Sequence, residues 1–383
     1  MHFDERPSCF RNIAHEILYV SVISCAQLLT QAALGNVLVP LHIIGPSIGI
    51  EDVTKLPWTL AAYSLTVELS SAVHPTGKTD IPGAILGLSG LALFIYCWNE
   101  GPVTGWNKPY VYVLLIVSIL VIGLFIVVEM KTKEPIMPLT IWSVKGFPGV
   151  LVSMALGWSS FGIFIYYIVQ FLQVIRGASA LLTTAMMSPV TISGLVATIS
   201  VSQIYGRLPA HFLLMGAMVF FCLSNTLIAT APAHQTYWAQ VFVSTLVAPF
   251  AMDVSFPAAS LIVSNTMPIN QQGVAASMVN TVINWSISLG LGIAGTVESE
   301  LLKRGKTVLE GYRGGLYVGI GLSGIGVIVA LLFCRVSSPH TSIGEKERQD
   351  FGTASAVVSD TIINTNMVKG EGLEGEFPMI WRF

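Results

Sequence analysis

Charged residues are scarce in this sequence. Lys and Arg number 19 and Asp and Glu 21, so that only 10% of the 383 residues are charged. Hydrophobic residues make up 53%, and the mean hydropathy is +0.71. Soluble domains carry about 25% charged residues, so this composition excludes a soluble domain and indicates a membrane protein. With a net charge of −2 and basic residues scattered between apolar runs, a nucleic-acid-binding face is excluded as well.

Motifs of catalysis and metal binding are also lacking. The five cysteines, an odd number, include no C-x-x-C pair and no Cys/His spacing, which excludes a zinc site and a disulfide framework. The H-E-x-x-H, G-x-S-x-G and P-loop motifs do not occur, and the seven His are scattered. We therefore expect a protein that is not an enzyme and that holds no metal and no cofactor.

Long uncharged apolar runs dominate what is present. A helix needs ~20 mostly apolar residues to cross the ~30 Å hydrocarbon core of a bilayer. In the clearest run, 111–128, fifteen of the eighteen residues are Leu, Ile, Val or Phe, and its insertion gains about 5 to 9 kcal/mol. Such runs are too long for the strands of a barrel, so helices follow. Nine runs predict membrane spans: 17–44, 81–98, 110–128, 148–173, 181–205, 212–230, 238–263, 273–297 and 314–334.

The segments around these spans complete a predicted all-α membrane bundle. In 57–73 the apolar run is short because Glu68 interrupts it, and a stunted or interfacial helix fits as well as a crossing. Glu129 and Lys131, where a span ends, indicate a solvated interfacial pair. We predict a cytoplasmic amino terminus (1–16), a first span with a short second helix (17–73), two linker spans (74–130), a cytoplasmic loop (131–147), six spans (148–335) and a disordered cytoplasmic tail (336–383).

Asp253 is a carboxylate well inside a predicted span. An Asp at the membrane centre costs roughly 2.5 to 3.5 kcal/mol, which its apolar neighbours can absorb. A buried carboxyl group stays neutral unless a partner is near, and it can then exchange a proton as a coupling group must. We predict a proton-coupling role for Asp253. The alternative is a packing hydrogen bond to a neighbouring Ser or Asn, and the sequence does not separate the two.

Polar and aromatic side chains also occur inside the predicted spans. Tyr166 and Gln170 are four residues apart and share one helix face, and Trp158 and Tyr167 belong to the same span. Such a face suits a cavity that binds amphipathic or cationic solutes by stacking and cation–π contact. Interfacial aromatic residues are the alternative, which fits mid-span positions poorly. Weaker candidates for the same cavity are Asn280, Asn284, Trp285, Gln27 and Gln31.

Helix-breaking residues mark candidate hinges. Pro189, followed by Gly194, is expected to kink one span. Gly290, Gly292 and Gly295 are expected to break up another. We predict that the chain bends at these positions when helices move.

Four segments resemble a known family. In chain order they are GKTDIPGAILGLSGLALFIYCWNEGPVTGW, FIVVEMKTKEPIMPLTIW, WSSFGIFIYYIVQFLQVIRGASALLTTAMMSPVTISG and AMDVSFPAASLIVSNTMPINQQGVAASMVNTVINWSISLGLGIAGTVE. They resemble parts of the seventh to thirteenth spans in the fungal fourteen-span drug:proton antiporter branch of the major facilitator superfamily, the aminotriazole-resistance and low-affinity ammonium transporter group. The segment AQLLTQAALGNVLVPLHIIGPSIGIEDVTKLPWTLAAYSLTV is similar to that family's first span and the start of its second. The resemblance implies a secondary transporter, with proton-coupled efflux or low-affinity cation transport, in the plasma membrane in preference to the vacuole.

The resemblance breaks off after Val67. The family continues there into the rest of its second to sixth spans, whereas this chain passes directly to the seventh, and no Gly-Arg-Asp gating motif occurs. Such transporters rock two six-helix halves about a central cavity. We expect a major-facilitator-like bundle with one complete carboxyl-terminal half, two extra spans and a remnant of the other half, left by an internal deletion. Two functions stay open: transport of a small molecule with protons across the lipid bilayer, or a non-transporting half that pairs with another transporter half.

Overall fold

The computed structural model describes residues 81–132, 135, 137, 139–204, 208–268 and 271–334. The predicted first span, 17–44, lies outside the described residues. The short helix of 57–73 and the tail, 336–383, lie outside them as well.

Nine α-helices follow one another in this part of the chain. A short 3₁₀ turn, Leu139–Ser143, precedes the third helix, which ends in a π-helical turn, Phe171–Ile175. The helices are α1 (Ile81–Thr104), α2 (Pro109–Lys131), α3 (Phe147–Gln170), α4 (Ala180–Met187), α5 (Pro189–Ile204), α6 (Ala210–Ala229), α7 (Gln240–Thr266), α8 (Gln272–Lys303) and α9 (Val308–Phe333).

Eight segments are long and apolar enough to cross a membrane. Seven are single helices, with α3 extended by its π-helical turn, and the eighth combines α4 and α5. They coincide with the eight predicted spans between residues 81 and 334, which confirms the all-α membrane fold. The division of these spans into two linker spans and a six-span half stays a prediction.

Three of these spans extend six residues beyond a predicted end. α1 continues past residue 98 to Thr104, α8 continues past residue 297 to Lys303, and α9 begins at Val308 instead of residue 314. At about 1.5 Å per residue, the 32 residues of α8 measure ~48 Å, which exceeds the ~30 Å of a hydrocarbon core. A charged residue beyond the apolar run can therefore still belong to the helix.

The last six spans pack as a bundle around α3. Helices α6, α8 and α9 contact α3, and α6 lies between α7 and α9. α3 has buried side chains on all its faces, as expected for an apolar helix without a polar stripe. The ring centroids of Trp158 and Phe161 of α3 lie 6.1 and 6.4 Å from that of Phe221 of α6, in edge-to-face and tilted arrangements that aromatic pairs favour.

The two helices before the bundle differ in environment. α1 packs against both α2 and α8. In α2, by contrast, Ile119, Leu120 and Leu124 are more than half exposed. An exposed helix that is apolar on every side needs lipid around it, so α2 is the most lipid-facing of the described helices.

The span formed by α4 and α5 is interrupted at Ser188. α4 ends at Met187 and α5 begins at Pro189. Proline has no N–H to donate to the carbonyl group four residues earlier, so the helical hydrogen-bond pattern is lost there. The interruption expected beside Pro189 is present, and its role as a hinge stays a prediction.

Gly290, Gly292 and Gly295 do not interrupt α8, which is one continuous helix. A Cβ on Gly290 would lie 2.6 Å from the carbonyl oxygen of Ser159, and one on Gly292 would lie 2.7 Å from that of Trp98. These two glycines let α8 approach α3 and α1 closely, which small residues allow between membrane helices. The expected break is wrong because a helix in lipid keeps its internal hydrogen bonds even where glycine weakens it in water. Bending at these positions in another conformation stays a prediction.

Glu129 is buried, so the expected solvated pair is wrong for this residue. Its side chain is 3% exposed, and its Oε2 atom accepts a hydrogen bond from the backbone N–H of Met137 at 3.0 Å. Lys131 is exposed. The carboxylate therefore fixes the segment after α2 against the end of that helix.

Candidate functional site

Asp253 lies in the middle of α7 and faces α5. Its Oδ2 atom is 3.1 Å from the point that a Cβ on Gly194 would occupy, so the carboxyl group packs where α5 has no side chain. The Asp253 side chain is half-buried. In the described part of the chain it makes no hydrogen bond or ion pair, and the alternative packing bond to a Ser or Asn is not present there.

Proline also alters the backbone at this point of α7. Pro257 stands inside the helix and has no N–H, so it cannot donate the usual helical hydrogen bond to the carbonyl group of Asp253, four residues earlier. Ser193, next to Gly194, donates a hydrogen bond to the carbonyl group of Leu246 and so joins α5 to α7 near this point. A carboxyl group without a partner at membrane depth is suited to bind a proton or a cation. We call Asp253, Gly194 and Pro257 the Asp253 site.

A second polar group lies between α3, α8 and α9, and we call its members the tyrosine cluster. The Tyr167 hydroxyl donates a hydrogen bond to Oε2 of Glu298 at 2.7 Å, and Nε2 of Gln170 donates one to the Tyr166 hydroxyl at 2.8 Å. The ring centroid of Tyr167 is 5.1 Å from that of Tyr166 and 5.4 Å from that of Tyr312. The members of the cluster are Tyr166, Tyr167, Gln170, Glu298 and Tyr312.

Burial distinguishes this cluster from the cavity expected from the sequence. Tyr166, Tyr167 and Gln170 are 1 to 2% exposed, and Trp158 is 8% exposed. Tyr166 and Gln170 do share a face, as predicted, but that face is turned into the bundle. In this conformation these residues line no open space, and a cavity that exposes them in another conformation stays a prediction.

The weaker cavity candidates in α8 are half-buried. The side-chain amide of Asn284 donates a hydrogen bond to the carbonyl group of Asn280 at 3.0 Å, within the same helix. The Trp285 ring stacks on Phe94 of α1, with ring centroids 5.6 Å apart. Gln27 and Gln31 lie outside the described residues, and their place in the cavity stays a prediction.

Sequence reasoning missed Glu298. The apolar run of its span ended at residue 297, which placed the carboxylate at the membrane edge, whereas α8 carries it into the bundle with 8% exposure. The available signal was the absence of a helix-ending residue between Glu298 and Gly305. Metal binding has no comparable support, since no three His, Cys, Asp or Glu gather within the described ranges.

The comparisons with known proteins give relatives over most of the chain. No family model matches it. An uncharacterized MFS-type transporter of Schizosaccharomyces pombe is 46% identical over 280 residues, 73% of this chain and 53% of the relative. The low affinity ammonium transporter of Saccharomyces cerevisiae is 45% identical over 274 residues, 72% and 53% of the two chains. The efflux pump terJ of Aspergillus terreus is 43% identical over 256 residues, which are 67% of this chain and 49% of the relative.

The helices and these relatives together define the class. The chain is an integral membrane protein of the polytopic α-helical kind. It belongs to the major facilitator superfamily, and it is similar to fungal transporters of that superfamily. The resemblance found in the sequence is thereby confirmed. The chain spans about half the length of these relatives.

Proposed function

We propose that this chain moves a small solute across a membrane as a proton-coupled secondary transporter. Two of its relatives are named as an ammonium transporter and an efflux pump, which favours transport over a non-transporting half. The proposed solute is a small or amphipathic cation, and the proposed direction is efflux or low-affinity uptake. The plasma membrane is proposed as its location in preference to the vacuole.

The Asp253 site is the observation that carries this proposal. An Asp at the membrane centre costs roughly 2.5 to 3.5 kcal/mol, and no described cation offsets that cost here. Binding a proton neutralises the Asp253 carboxylate, and release of that proton to water restores its negative charge. Since the Asp253 carboxyl group packs where Gly194 has no side chain, a small separation of α5 and α7 would admit more water to it. Proton binding and helix movement would thereby be coupled.

A second transporter half is proposed as a partner. The six spans from α3 to α9 correspond to one half of a carrier, and rocking carriers form their cavity between two halves. The unit proposed as this half is 148–335, preceded by the two linker spans of 74–130. The face of the Asp253 site would then meet the partner across the cavity.

Gradient-driven flux into proteoliposomes tests the proposal. The full chain is reconstituted, and uptake of radiolabelled methylammonium and of ethidium is measured with and without an imposed pH gradient. We expect flux that requires the gradient and stops when a protonophore is added. We expect Asp253→Asn to reduce this flux to the level of empty liposomes, because an amide cannot exchange a proton.

Glu300→Gln is the matched control. Glu300 is an exposed partner of Arg304 at the end of α8, so its neutralisation leaves the bundle intact and should leave flux unchanged. Gradient-driven flux in Asp253→Asn equal to wild type would remove the coupling role. No gradient-driven flux of either solute, from a wild-type chain that purifies as one folded species and is reconstituted both alone and together with a second transporter half, would overturn the transport proposal.

A further inference from the structure

Glu298 is a second carboxyl group inside the bundle, apart from the Asp253 site. We propose that Glu298 is a proton-binding site within the tyrosine cluster, that two tyrosine hydroxyls hold its ionised form, and that it accepts no cation larger than a proton. Its use in a transport cycle rests on the proposed function, whereas proton binding itself does not.

Tyrosines of α3 and α9 lie around Glu298. The Tyr167 hydroxyl donates to it from α3, and the rings of Tyr166 and Tyr312 contact the Tyr167 ring. A Cβ on Gly311, next to Tyr312 in α9, would lie 3.2 Å from Cγ of Glu298. On α1, which also packs against α8, Glu100 accepts a hydrogen bond from Tyr110 and is directed toward α2. No titratable side chain of α1 pairs with Glu298.

The cations near this end of the bundle form no ion pair with Glu298 in the described residues. In the described residues the ion pairs are Arg304 with Glu300 and Lys306 with Glu310, and all four side chains are exposed. Arg313, one residue after Tyr312, donates to the carbonyl group of Ala231. Glu298 therefore has no cation to balance its charge among the residues that the structure describes.

Hydrogen bonding at Glu298 is incomplete for a carboxylate. A buried carboxylate is strongly disfavoured unless hydrogen bonds replace its lost water, and the Tyr167 hydroxyl supplies one. The Tyr312 hydroxyl is buried and has no hydrogen-bond partner in the described part of the chain. Such groups are rare and need an explanation. The unpaired Tyr312 hydroxyl is explained if it is a second hydrogen-bond donor to Glu298, which it supplies when the carboxyl group loses its proton.

The packing of the cluster limits what it can bind. The three tyrosine rings are already in contact, and the Tyr167 ring lies 2.5 Å from the point that a Cβ on Gly315 would occupy. Even an ammonium ion finds no space between them. Glu298 keeps 8% exposure and lies five residues, ~8 Å, before the end of α8, so a proton can exchange there with water.

Infrared spectroscopy of the purified full chain tests this proposal without a transport measurement. The carbonyl stretch of protonated carboxyl groups is followed as the pH is raised. We expect a component that persists at about pH 6, where exposed carboxyl groups have ionised. In a chain that already carries Asp253→Asn, which removes the signal of the other unpaired carboxyl group, Glu298→Gln should remove this component. Tyr167→Phe or Tyr312→Phe should move its midpoint upward by about 1 to 2 pH units, because the ionised form loses a hydrogen bond.

Two controls and one competition complete the test. Glu300→Gln and Asp253→Asn should both keep the Glu298 component, which separates this site from exposed carboxylates and from the Asp253 site. Methylammonium should leave the midpoint unchanged, since the cluster has no room for it. The proposal fails if the wild-type chain lacks the component, if Glu298→Gln retains it, or if methylammonium lowers the midpoint. If Glu298→Gln does not fold, unshifted midpoints in both tyrosine variants overturn it.

Discussion

Substituting Gly290 by Ala tests whether the glycines of α8 are contact points. The three nearest atoms to its added Cβ all belong to Ser159, at 2.6 to 2.8 Å, and two of them are backbone atoms. No change of rotamer can move backbone atoms away. Because Cβ contacts are ordinary only from 3.4 Å, α3 and α8 must separate locally by about 0.8 Å in an interior that is already close-packed.

The expected cost follows from three contributions. Overpacking of this kind costs about 1 to 3 kcal/mol. Separation of the helices also lengthens the hydrogen bond that the Ser159 hydroxyl donates to the carbonyl group of Ser286 at 2.7 Å, worth about 0.5 to 1.5 kcal/mol. The higher helix propensity of Ala offsets about 1 kcal/mol. Gly290→Ala should therefore destabilise the protein by about 0.5 to 3.5 kcal/mol.

Thermal unfolding of the detergent-purified protein measures this effect. A lower Tm is expected, by about 2 to 4 °C per kcal/mol as in domains of moderate size. Gly295→Ala is the matched control on the same helix, because its nearest neighbour would be 3.9 Å away and its Tm should be unchanged or slightly raised. Equal Tm values for the two variants would refute the contact interpretation. Lost flux at an unchanged Tm in Gly290→Ala would instead favour a hinge.

Two further substitutions probe the bundle. Asn225→Ala removes hydrogen bonds from α6 to the carbonyl and hydroxyl groups of Ser160 at 3.1 and 2.9 Å, and it should cost about 1 to 3 kcal/mol in thermal or denaturant unfolding. Thr226→Ala, whose hydroxyl donates only within its own helix, should cost less, and the reverse order would contradict the reasoning. Thr307→Ala removes the capping box with Glu310 and should lower the stability by about 1 kcal/mol. Thr307→Ser should keep most of the stability that the cap provides. Equal Tm values in the two variants would exclude the cap as a stabilising element.

The positions of the spans could be predicted because the free energy of inserting a segment into the membrane is a sum over the residues of that segment alone. A run such as 111–128 favours lipid whatever its neighbours are, and its backbone must then be helical. The ends of the spans depend on more than hydropathy. α8 extends to Lys303 because nothing stops the helix at the edge of the hydrocarbon core, and Glu298 was consequently placed in the wrong environment. The interruption beside Pro189 was predictable, since a missing N–H is a property of one residue.

By itself, the sequence determined that this chain is a bundle of membrane helices related to fungal transporters, and it singled out Asp253. Tertiary structure alone decided what each polar group meets. It placed Asp253 against Gly194, and it joined Glu298 to Tyr167 across 131 residues of sequence. The physical reason is that membrane insertion sums over the residues of one helix, whereas the partner of a side chain depends on how each helix is rotated and packed against the others.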